Sequence, residues 1–91
     1  MIKKVIRIEN ELGLHARAAA KLVKLSSEFE SDISLSKSNS SQRIDGKSIL
    51  GVLLLAASHG TELDIVFEGI DEAEAAAAVE KLIAGRFGEG K

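Results

Sequence analysis

The run Gly13-Leu14-His15-Ala16-Arg17-Ala18-Ala19-Ala20 sets a histidine between a turn glycine and an arginine, just where a helical pattern begins. Anion chemistry is what such a spacing could support. The first turn of a helix carries backbone N–H groups without intrahelical partners and the positive end of the helix dipole, so the amides of Ala16, Arg17 and Ala18 can receive a phosphate. Arg17 adds a permanent positive charge. An imidazole at the same place is a nucleophile that can carry a phosphoryl group covalently. The plainer alternative is a solvated cap at a strand-to-helix turn, and the local motif alone leaves both open.

Ser48 stands before a second apolar run, Ile49 to Leu54, where a serine is a good helix N-cap. Gly46-Lys47-Ser48 is not a nucleotide-binding loop, because that pattern requires a glycine five residues earlier and the position holds Ser41. His59 lies beside Gly60 in an expected loop with no partner pattern and reads as solvated. Glu72, Glu74 and Glu80 read as a wet helix face. With no cysteine there is neither a disulfide framework nor a thiolate metal site, and no metal is expected.

The elements that must position these residues follow from periodicity. Ile2 to Ile8 reads as a strand with Lys4, Ile6 and Ile8 on one face, an alternation imperfect at Lys4. Ala19, Leu22, Val23, Ser26 and Phe29 form a stripe at helical spacing, predicting a helix from Ala16 to Phe29. Asp32 to Lys37 alternates through Ile33 and Leu35, and a polar Ser38-Asn39-Ser40 connection leads to a weaker strand ending near Ile44. Asp45-Gly46 is a turn signal, and a short helix follows from Ser48 to about Leu54. Thr61 to Phe67 alternates most clearly, with Leu63, Ile65 and Phe67 inward. Asp71 to Ala84 is the clearest helix, with Asp71 as N-cap, Glu74 completing a capping-box pattern, and Ala75, Ala78, Val79 and Leu82 inward. The chain from Gly85 onward is expected to fray.

This order, βαββαβα, buries itself most simply as an α+β open-faced β-sandwich: a four-stranded antiparallel sheet with three helices packed on one face. Ninety-one residues are expected to form one domain over 1–91, large enough for a modest core. At 45% hydrophobic, 29% charged and a net charge of -2, the chain reads as soluble and globular. Its three aromatic residues are all Phe, and a mildly acidic chain without Trp or Tyr lacks the basic stripe and stacking platforms of a nucleic-acid binder. The absence of an N-terminal apolar run argues against secretion or membrane insertion and favours the cytoplasm.

Three segments in order, Gly13-Leu14-His15-Ala16-Arg17, Lys47-Ser48-Ile49-Leu50-Gly51-Val52 and Gly60-Thr61-Glu62-Leu63, make nearly the whole chain resemble the histidine-containing phosphocarriers (HPr) of the bacterial phosphoenolpyruvate-dependent sugar phosphotransferase system. The resemblance implies a carrier, not an enzyme, working without cofactor through a phosphohistidine. His15 would accept the phosphoryl group from enzyme I and pass it to EIIA-type acceptors, with Arg17 stabilising it. It further implies docking through Ala16 to Ala20 and through Ile49, Leu50 and Leu53, a serine kinase acting on Ser48 in some members, and a monomer. A phosphate on Ser48 would set about two negative charges beside the apolar docking residues. The chain departs from the family where Ala18 replaces a proline, which removes some preorganisation and adds an N–H near the site. The stretch between Lys37 and Lys47 is also longer than the family's common spacing. A regulatory relay, such as a nitrogen-related or catabolite-control branch, and a noncatalytic protein-binding module remain alternatives to sugar uptake.

Overall fold

The computed structural model describes residues 1–89. The chain runs β1 (Ile2–Arg7), α1 (Ala16–Ser26), β2 (Asp32–Lys37), β3 (Ile44–Asp45), α2 (Ile49–Leu55), β4 (Glu62–Glu68) and α3 (Glu72–Ala84), followed by a single 3-10 turn, Arg86–Gly88. The strands form one antiparallel sheet in the order β1-β4-β2-β3. Alternation fixes its register. Ile2, Phe67 and Ile33 lie in one row across β1, β4 and β2, Lys4, Ile65 and Leu35 in the next, and Ile6 opposite Leu63 in the third. A slip of one residue would turn this whole apolar set to water.

The helices cover that face. Ala18, Ala19 and Leu22 of α1, Val52 of α2 and Ala75, Ala76, Val79 and Ile83 of α3 close over the inner sheet residues in one core. Alanines at these contacts let helix and sheet approach closely. The opposite face is wet, with Lys3, Val5, Arg7, Glu62 and Glu68 exposed. Lys4, the break in the first strand's alternation, sits on the inner face at its edge and reaches Glu80 of α3 at 3.4 Å, so Glu80 is paired rather than merely solvated.

Several sequence expectations are corrected. Helix α1 stops at Ser26, three residues before Phe29. The amides of Glu28 and Phe29 turn back to Leu25 and Ser26 in tighter i to i+3 bonds, and those of Glu30 and Ser31 donate to the Asp71 carboxylate, both at 2.9 Å. Asp71 is thereby occupied and makes no side-chain cap bond to its own helix. The Ser31 hydroxyl also donates to it. No capping-box bond from Glu74 is found among the described residues; Glu72, the first helical residue, instead accepts from the Gly69 amide at 3.1 Å and pairs with the Met1 amino group at 2.8 Å. The buried line of α3 includes Ala76 and Ile83 where Ala78 and Leu82 were expected, the latter two being half-buried. In a helix this rich in alanine the period does not distinguish neighbouring faces.

The largest correction concerns the segment after α3. Phe87 is fully buried in the core rather than frayed. To place it there the backbone takes positive φ at Arg86 (56°), Phe87 (54°) and Gly88 (75°) in succession.

Candidate functional site

The loop between β1 and α1 is held by its own polar groups. Asn10, fully buried, donates its side-chain amide to the Gly13 carbonyl at 2.8 Å, and the Gly13 amide returns to the Asn10 carbonyl at 3.2 Å. Gly13 has φ +66°, and a Cβ there would lie 2.6 Å from the Ala57 carbonyl oxygen, so only glycine fits. Leu14 is buried and its amide donates to that same carbonyl at 2.8 Å, which ties the loop to the segment leaving α2.

His15 emerges as the N-cap of α1 with extended backbone (φ -74°, ψ 178°). Its Nδ1 accepts from the Arg17 amide at 3.2 Å, and its Nε2 lies 2.5 Å from Oε2 of Glu89. A carboxylate can only accept, so the ring proton belongs on Nε2 and the lone pair on Nδ1. The nucleophilic nitrogen therefore points into the first turn of α1. Ala16 and Ala18 are the first and third helical residues, whose amides precede that of Ala19, the first to donate within the helix, to the His15 carbonyl at 2.8 Å. Ala16, Arg17 and Ala20 are exposed, and Ala18 is buried.

A cleft of about 390 Å³ opens here, lined by Glu11, Leu12, His15, Arg17, Lys21 and Glu89 among others. The structure thus brings His15 and Arg17 together with two residues that sequence reasoning missed. Lys21 stands one turn beyond Arg17 on the same helix face, a spacing that could have revealed it; its ammonium donates to the Phe87 carbonyl at 2.6 Å. Glu89 carried no signal, since its segment was expected to fray. Its Oε1 accepts from the Asn10 amide at 2.9 Å. The Asn10 bond above all, with His15 alongside, holds the Glu89 carboxyl below the usual carboxylate range against the opposing effect of burial. The cleft offers a nucleophilic nitrogen, two cations and helix N-terminal amides to an anion. A larger open cleft of about 540 Å³, with Arg7, Lys37 and Thr61 in its lining, contains no histidine. Among the described residues no group of three or more His, Cys, Asp or Glu could hold a metal ion.

Ser48 caps α2, its hydroxyl accepting from the Gly51 amide at 3.1 Å. It lies at the opposite end of that helix from the segment touching the His15 loop. Ile49, Leu50 and Leu53 are exposed, as is Leu54, while Val52 anchors the helix inward. Four exposed aliphatic side chains thus stand on one short helix. Leu12, exposed beside the cleft, was another omission. The Lys47 ammonium is taken by the Phe29 carbonyl at 2.7 Å, which suits a structural tether better than a phosphate loop. His59 is exposed. No helix among the described residues is long and apolar enough to cross a membrane.

Residues 2–85 match the family model described as the PTS HPr component phosphorylation site. The phosphocarrier protein HPr of Neisseria meningitidis is 47% identical over 91 residues, covering all of both chains. Among solved structures, HPr from Thermoanaerobacter tengcongensis superposes with a TM-score of 0.91 at 42% identity, covering 98% of each chain. An HPr dimer from the same organism gives 0.76 at 42% identity, covering 98% of this chain and 100% of that one. With the antiparallel sheet, the covering helices and the full-length match in agreement, the chain belongs to the HPr phosphocarrier family of the phosphotransferase system.

Proposed function

We propose that His15 accepts a phosphoryl group from enzyme I and passes it to EIIA-type acceptors, so that the protein is a carrier within a transferase relay. The observation that carries this reading is the Nδ1 lone pair of His15, oriented by the Arg17 amide at the start of α1 and sharing a cleft with Arg17 and Lys21. The lone pair attacks phosphorus, the N–P bond forms, and the donor leaves with the electrons of the bond it loses. Onward transfer reverses this at the acceptor. Arg17 and the first-turn amides of Ala16, Arg17 and Ala18 stabilise the phosphoryl oxygens. Charge-assisted bonds contribute about 1.5–3 kcal/mol each, enough to favour the phosphorylated state without trapping it.

Partners dock on the start of α1, through Ala16 and Ala20, and on Ile49, Leu50 and Leu53, with Ser48 available to a regulatory kinase at the edge of that patch. The whole chain acts as one domain, in the cytoplasm and as a monomer; sedimentation giving the mass of two chains would contradict the last point. Phosphoryl uptake is tested with labelled phosphoenolpyruvate and enzyme I. An acid-labile label on the native chain, absent from His15→Ala, is expected. No label on the native chain with its cognate enzyme I would leave a docking or regulatory module instead.

A further inference from the structure

The His15–Glu89 contact is built with more care than a chance surface ion pair would need. Glu89 is separated from α3 by three consecutive residues at positive φ, two of them non-glycine, a sparsely populated backbone that persists only where its surroundings impose it. Those surroundings are Phe87, fully buried in the core, and Lys21, whose ammonium holds the Phe87 carbonyl. One carboxylate oxygen is fixed by Asn10, itself fully buried and bonded to Gly13 two residues before the histidine, and the other reaches Nε2. The side chain of Glu89 is only 13% exposed, against 29% for His15. Local backbone strain, a buried amide and a core aromatic thus converge on the placement of a single carboxylate.

We propose that Glu89 is a positioning residue for phosphoryl transfer, holding the proton of His15 on Nε2 in both the free and the phosphorylated protein. This rests on the carrier reading given above. In the free protein the contact, together with the Arg17 amide that donates to Nδ1, selects the tautomer whose lone pair is on Nδ1. When Nδ1 attacks, the ring gains positive charge, and the carboxylate opposite stabilises it without accepting the proton. The phosphorylated ring then remains an imidazolium. On transfer to the acceptor the N–P bond breaks, its electron pair returns to Nδ1, and neutral imidazole departs as the leaving group. No proton enters or leaves the ring during the cycle, and Asn10 keeps the carboxylate in register throughout.

The test combines a tautomer measurement with kinetics on the full chain. Nitrogen-15 chemical shifts of the ring, recorded where imidazole is neutral, should show a protonated Nε2 and an unprotonated Nδ1 in the native protein, and a larger share of the Nδ1-protonated tautomer in Glu89→Ala, where only the Arg17 amide still opposes it. In enzyme I-dependent transfer Glu89→Ala should lose kcat by about tenfold or more, with KM for this protein nearly unchanged. Glu89→Gln, whose amide oxygen still accepts a hydrogen bond from Nε2–H, should restore the tautomer but not the full kcat. A Glu89→Ala protein that kept the native tautomer or the native kcat would overturn the proposal. A faster one would do so too, by making the contact a brake. The shifts need no phosphoryl donor, so they report on Glu89 even if the native chain took no label, an outcome that would instead overturn the carrier reading.

Discussion

Arg17 contributes to the site through two separable groups. Its amide orients Nδ1 of His15, and its guanidinium belongs to the lining of the cleft. Arg17→Ala removes the second and keeps the first. In the proposed phosphoryl site, loss of the guanidinium would remove one charge-assisted hydrogen bond, equivalent to a rate lower by about 10- to 100-fold, and that decrease is expected in single-turnover transfer from phosphorylated enzyme I. Wild-type rates in this variant would mean that the amides and Lys21 suffice. Gly13 makes a different kind of contribution. With its φ of +66° and the Ala57 carbonyl 2.6 Å from any Cβ, Gly13→Ala should destabilise the fold by about 1–3 kcal/mol in urea denaturation and displace His15 from its cap.

At the scale of elements, the sequence was most legible where one side of a strand or helix was unambiguously apolar. Leu63, Ile65 and Phe67 of β4 and the Ser48 cap of α2 fell as expected. Errors gathered where a polar side chain had two possible employers. Asp71 looks like a cap for α3 in one dimension, yet its carboxylate serves the backbone of Glu30 and Ser31, forty residues away, a choice made by tertiary approach alone. Ser31 first, then the Glu30 amide, lower the pKa of Asp71. Its contribution to stability is therefore fully present above the unfolded carboxylate value near about pH 4 and is lost as pH falls through the lower folded value. Asp71→Asn should weaken the protein at neutral pH and flatten the acid limb of its stability curve, as followed by urea midpoints from pH 7 downward. An acid limb as steep as the native one would place the linkage elsewhere. Ser48→Ala should cost about 1 kcal/mol through removal of the cap, with the m-value unchanged.

Across the whole molecule, the cleft is assembled from both ends of the chain. His15 and Arg17 were legible because a glycine, a histidine and an arginine lie within a few residues at a helix start; Glu89 was not, because a lone phenylalanine among small and charged residues gives no period from which to infer burial. Phe87 supplies what the sequence did not show, tying the last described turn to the core and carrying Glu89 to Nε2. Phe87→Ala should destabilise the fold by about 3–5 kcal/mol and uncouple Glu89 from His15, visible together as a lower urea midpoint and a changed His15 ring spectrum. The proposed carrier holds its phosphoryl group on Nδ1 of His15, the nitrogen left with the lone pair at the start of α1. Phosphorus-31 and nitrogen-15 NMR of the protein phosphorylated by enzyme I measures this directly. Phosphorus coupled to Nδ1 of His15 is the predicted result, and phosphorus on Nε2 or on any other residue would contradict it.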